Sequence, residues 1–179
     1  MKRIVAYASA TTLALAAGMA LLAPLPAAAH SPAIAQGIDY QIQFEPNDAR
    51  MVPYGGAATR TDVRVWPVDY RGMDWELTQT GFQGNLPTYE IRNLHSNLCL
   101  EPKDGLTRAD QRVEQRQCTG RDRQEWLLPY MGDNGHHIVP VRNTHLGTTL
   151  ENPAWTGSFL KLDYRSSADP DFRWNFQPL

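Results

Sequence analysis

The chain has 179 residues, 42% hydrophobic and 20% charged, too apolar for a disordered protein and of a length that suits one domain rather than two. Its 17 basic and 19 acidic residues leave a formal net charge of −2, which argues against a surface built to neutralise phosphates, so no nucleic-acid partner is expected. Two cysteines exclude both a disulfide-dense miniprotein and a four-cysteine zinc site.

Residues 1–29 read as a secretory signal peptide rather than as fold. Lys2 and Arg3 form a positive start, an Ala/Leu-rich uncharged run follows from Ile4 to Leu25, and Ala27-Ala28-Ala29 offers a small-residue cleavage site before His30. A second such site, Ala33-Ile34-Ala35, would release a chain starting at Gln36. No other stretch is long and apolar enough to span a bilayer. Without Lys2 and Arg3 the 17 basic residues fall to 15 against 19 acidic ones, so the mature protein carries about −4. The expected location is extracellular, where a disulfide persists. Residues 30–37 read as a short linker.

From residue 38 a threefold repeat organises the chain. Tryptophan closes three similar stretches, at Trp75, Trp126 and Trp174. The eleven residues Ile91 to Glu101 align without gaps on Val141 to Glu151, sharing Arg-Asn, His and Leu-Glu. Ile42 to Val52 fits the same frame with most polar positions lost. Each unit then has a polar loop and a second short strand: Val63 to Trp66, Val113 to Arg116, and Phe159 to Leu162. No helical apolar stripe follows the leader, and 13 Gly with 13 Pro favour turns. The domain reads as all-β. Three units of about four strands each cannot bury their apolar faces alone, and a closed barrel capped by hairpins removes their open edges.

The middle unit carries Ile91-Arg92-Asn93, then Cys99-Leu100-Glu101, then Cys118, then Gln124-Glu125-Trp126. This resembles the ricin B-type β-trefoil lectin domains, with their I-x-N strand, C-L-D turn, second cysteine and Q-x-W strand. Val63-Arg64-Val65-Trp66-Pro67 of the first unit is similar to that family's V-x-L-W-P segment. The resemblance covers residues 38–179 and implies a β-trefoil of three pseudo-symmetric units. It also implies a Cys99–Cys118 bridge within the middle unit, stabilising by roughly 3 kcal/mol on the chain-entropy model. The three repeated tryptophans are expected to be core.

Sugar binding in this family belongs to each unit: a carboxylate at the C-L-D position, an aromatic ring two residues before the second cysteine, and an amide near Q-x-W. The first unit has the ring, Trp66, but Val52 in place of the acid. The second has Glu101 and Gln124, with Arg116 at the stacking position. The third has Glu151, with Leu162 in place of the ring; Trp155, in the loop just after, offers an aromatic from another direction. The resemblance therefore points to the middle unit, with Glu101 as acceptor, Gln124 as donor and acceptor, and Arg116 presenting a planar guanidinium suited to an acidic sugar. The same residues admit a second reading, in which Glu101 pairs with Arg116 or Arg123 and closes the pocket. Glu151 with Trp155 is the runner-up site.

No H-E-x-x-H, G-x-S-x-G or Walker loop is present, so no enzyme, cofactor or metal site is expected. The function the resemblance implies is a secreted, non-enzymatic carbohydrate-binding module with a carbohydrate or glycoconjugate partner. A protein-recognition subunit similar to the trefoil subunits of cytolethal distending toxins is the alternative. A trefoil protease inhibitor is a third, resting only on the loop Gly84-Asn85-Leu86-Pro87.

Overall fold

The computed structural model describes residues 34–35 and 37–179. The signal peptide expected over 1–29 lies outside the described residues, as does most of the 30–37 linker. The first unit contributes β1 (Asp39–Phe44), β2 (Arg50–Pro53), β3 (Thr61–Trp66) and β4 (Asp74–Gln83). The second contributes β5 (Leu86–Asn93), β6 (Cys99–Pro102), β7 (Val113–Arg116) and β8 (Glu125–Leu127). The third contributes β9 (Gly135–His136), β10 (Val139–Pro140), β11 (Leu146–Leu150), β12 (Leu160–Tyr164) and β13 (Trp174–Pro178). The described helical residues are short 3₁₀ turns, at Lys103–Gly105, Asp122–Gln124 and Pro170–Phe172.

Pairing closes a ring. β1 pairs β4, β4 pairs β5, β5 pairs β8, β8 pairs β10, and β9, the first half of the strand that β10 completes, pairs β13, which returns to β1. Closure leaves no free edge on this barrel. The hairpins β2–β3, β6–β7 and β11–β12 cap it, one from each unit. They also meet one another: Thr61 and Asp62 pair with Gln115 and Glu114, Arg64 bridges Phe159, and Arg112 bridges Lys161. The fold is a β-trefoil.

The repeat is physical as well as textual. Trp75, Trp126 and Trp174 are all fully buried. Each indole N–H donates to a main-chain carbonyl on the first strand of its own unit's cap: Met51 at 3.0 Å, Leu100 at 3.1 Å and Thr148 at 3.1 Å. The ring supplies apolar area to the core while its one polar atom fastens barrel to cap, which satisfies the buried donor. The bridge between Cys99 and Cys118 is formed. It ties the start of β6 to the loop after β7, so the middle unit is cross-linked and the other two are not.

Strand alternation decides what reaches the surface. Along β3, Val63 and Val65 point into the core, while Asp62, Arg64 and Trp66 occupy the opposite, partly exposed face. The third-unit strand expected over Phe159 to Leu162 runs instead from Leu160 to Tyr164. Phe159 precedes it, in the backbone bridge to Arg64, which sets the third unit beside the first.

Candidate functional site

The middle unit brings Glu101 and Gln124 together, as the sequence suggested, but turns them towards each other. Gln124 Nε2 donates to Glu101 Oε2 at 2.7 Å and to the Gln117 carbonyl at 2.8 Å. Its Oε1 accepts from the Thr119 N–H at 2.7 Å and from the Thr119 hydroxyl at 3.0 Å. All four hydrogen-bonding positions of the amide are used. Arg123 Nε lies 3.1 Å from Glu101 Oε1, close enough for an ion pair but off the line of an N–H···O hydrogen bond. Glu101 and Gln124 are each only 1% exposed.

Gly105 helps to shut the lid. Its φ of +69° suits glycine, and a Cβ there would stand 3.3 Å from Arg123 Cδ and 3.6 Å from Glu101 Oε1. Arg116 joins none of this; its Nη1 donates to Glu114 Oε1 at 3.0 Å. The arginine partner of Glu101 is therefore Arg123. The polar set expected for a middle-unit pocket is a satisfied, buried network.

Glu151 is also engaged. Arg112 grips it with two hydrogen bonds, Nε to Oε1 at 2.6 Å and Nη2 to Oε2 at 3.1 Å, and donates a third to Asp62 at 2.9 Å. Lys103 completes the junction on Asp62 at 2.9 Å. Asp62 belongs to the first unit, Lys103 and Arg112 to the second, and Glu151 to the third, so one ion network joins all three caps. The bond to Glu151 is the chief influence raising the Arg112 pKa above its ordinary value. The third-unit carboxylate is a structural clasp between units.

Trp66 of the first unit and Trp155 of the third both approach Gly157. A Cβ on Gly157 would touch the Trp155 ring at 3.0 and 3.1 Å and the Trp66 ring at 3.4 Å, so both indoles close on this glycine. Trp155 is 58% exposed. Beside them Arg64 lies between two rings, its guanidinium carbon 4.2 Å from the Trp66 centroid and 4.6 Å from that of Tyr54. Tyr54 packs edge-on against Phe159 at 5.4 Å, and Arg112 covers Phe159 at 4.4 Å. The result is an exposed aromatic platform across the seam between the first and third units. The remaining grouping of would-be metal ligands among the described residues, Glu90 with Cys99 and Cys118, has both sulfurs tied in the disulfide.

A family model described as ricin-type β-trefoil lectin domain-like matches residues 71–157. That stretch of the chain is similar to a ricin-type β-trefoil lectin-like domain. The chain has no sequence match among curated proteins. Among solved structures it is similar to the designed threefold-symmetric protein ThreeFoil, at TM-score 0.68 and 19% identity over 79% of this chain and 99% of that one. It is also similar to the Polyporus squamosus lectin bound to the epitope Neu5Acα2-6Galβ1-4GlcNAc, at 0.65 and 20%, covering 82% of this chain and 50% of the other. The Macrolepiota procera ricin B-like lectin in complex with lactose follows at 0.63 and 15%, over 80% and 97%. The trefoil thus spans half of the Polyporus lectin.

Sequence reasoning found both tryptophans of the platform but missed Tyr54, Arg64, Gly157 and Phe159. Arg64 was legible as the polar neighbour of Trp66 on one strand face, two residues away. The approach of Phe159 and Gly157 carried no local signal.

Proposed function

We propose that this trefoil is a secreted, non-enzymatic carbohydrate-binding module whose ligand rests on the platform formed by Trp66 and Trp155. The observation that carries the reading is the convergence of those two indoles, one of them largely exposed, on Gly157. The exposed Trp155 indole suits the apolar C–H face of a sugar ring, and neighbouring groups orient it. Two trefoils of similar fold are solved with saccharides, the Polyporus lectin with its sialylated epitope and the Macrolepiota lectin with lactose. The buried Glu101–Gln124 pair and the clasped Glu151 serve the scaffold in this reading.

A glycan array probed with the secreted protein, with Trp66→Ala and with Trp155→Ala tests it. Glycan signals present in the parent and lost in both variants are expected. Signals retained by both variants move the site elsewhere, and an empty array removes the carbohydrate reading. The protein-recognition alternative draws on the same exposed rings, Tyr54 at 51% and Trp155 at 58%. An empty array with retained binding to a protein on host-cell surfaces, lost in Trp155→Ala, would favour it.

A further inference from the structure

Arginines on this trefoil are mostly occupied. Arg50, Arg92, Arg112, Arg116, Arg123, Arg142 and Arg173 all meet carboxylates. Arg64 does not. Among the described residues its side chain makes no ion pair and donates no hydrogen bond, and its Nε is buried without an acceptor. A guanidinium carries five N–H donors and does not lose its charge, so leaving them without a protein acceptor in a partly buried place is unfavourable unless something else completes them. What holds Arg64 there is the pair of rings, Tyr54 at 4.6 Å and Trp66 at 4.2 Å.

The two rings restrict the side chain, so an incoming anion does not have to order a flexible arginine first. Acids on the neighbouring elements are already taken. Asp62, the neighbour of Arg64 along the same face of β3, is held by Lys103 and Arg112, and Glu151 is held by Arg112. Among the described residues no carboxylate pairs with the Arg64 fork. Trp155 and Trp66, closing on Gly157, supply the apolar floor beside it.

We propose that the platform between the first and third units selects anionic saccharides: the sugar ring lies on Trp155 and Trp66, and its charged substituent takes the open N–H donors of Arg64. The inference rests on the carbohydrate reading above and adds the class of ligand. The shared chemistry is a planar or tetrahedral oxyanion on a pyranose ring, which a guanidinium recognises with two parallel bonds. Carboxylated and sulfated sugars both present it. The site is composite, since its cation and one ring come from the first unit and its exposed ring from the third.

The test titrates the secreted protein with three matched oligosaccharides: neutral, carboxylated and sulfated. The expected result is tighter binding of at least one anionic member, by on the order of 10-fold or more over the neutral one, weakened by added salt. Arg64→Gln should remove that preference and bring anionic binding down to the neutral level. Arg64→Lys should recover only part, because the charge returns without the fork. Arg108→Gln, on a different exposed loop, serves as the control. Gly157→Ala guards against a folding artefact in the Arg64 variants: its backbone lies outside the left-handed region, and the added methyl displaces Trp155. It should lower neutral and anionic binding together. Neutral and anionic members bound equally, with binding lost in Trp155→Ala, overturn the anionic inference and leave the carbohydrate reading standing. An anionic preference that survives Arg64→Gln also overturns it. No binding to any of the three, nor to any glycan on the array, sinks both.

Discussion

The middle unit and the seam between the first and third units hold similar chemistry with opposite outcomes. At Glu101 an acid, an amide and an arginine are all present, and they satisfy one another at 1% exposure. At Arg64 a cation and several rings are present, the neighbouring Asp62 is already paired elsewhere, and the guanidinium keeps its donors unused. A complete set of complementary polar groups is therefore poorer evidence for an open site than an incomplete one. Groups that can pair within the protein do so, because an unpaired buried polar group costs more than a made bond gains.

The largest effect should come from breaking the closed region. Glu101→Ala leaves Gln124 and Arg123 without their buried partner and should destabilise by roughly 3 kcal/mol in urea unfolding, whereas Trp155→Ala, exposed at the seam, should change stability by less than about 0.5 kcal/mol. Equal losses for the two would erase the contrast between them. Reducing the Cys99–Cys118 bridge should cost roughly 3 kcal/mol at most on the chain-entropy model, measured as a downward shift in Tm with reductant. Platform binding below that Tm should persist, because the platform lies in the other two units.

Acid should act on the third unit's barrel wall. Burial, with Arg165 and Arg173 adding to it, lowers the His137 pKa to about 4. Because the folded value lies below the ordinary 6.5, the contribution of the neutral ring is complete above pH 6.5 and lost as pH falls towards 4. At pH 5 the loss is about 2 kcal/mol, and a His137→Gln variant should show a flatter stability profile between pH 7 and 5. Gly157→Ala should cost less than this, staying within about 1 kcal/mol, because exposed Trp155 can give way. Its glycan affinity should nonetheless fall several-fold, read by the same titration that compares the sugars.

The legible part of the molecule was whatever repeats. Trp75, Trp126 and Trp174 announced three units because a core position recurs with the frame even where surface residues drift, and their identical tethers to Met51, Leu100 and Thr148 show why. Cys99 and Cys118 were likewise readable within one unit through the family pattern. Glu101 and Gln124 lie together, since both belong to that unit's own frame. Their openness was not readable, because it depends on Arg123 and on how the turn at Gly105 closes. Arg116 stood at the right position along β7, yet Glu114 two residues away takes it.

Sequence alone determined the all-β threefold architecture, the disulfide expected from the family and the presence of Trp66 and Trp155. These depend on residues within a unit or on spacing that recurs between units, so a linear pattern carries them. The seam was decided only in three dimensions. Arg64 meets Phe159 and Trp66 nears Gly157 across more than ninety residues, because barrel closure sets the first unit beside the third. Contacts of that kind follow from which caps become neighbours, and no local periodicity records it.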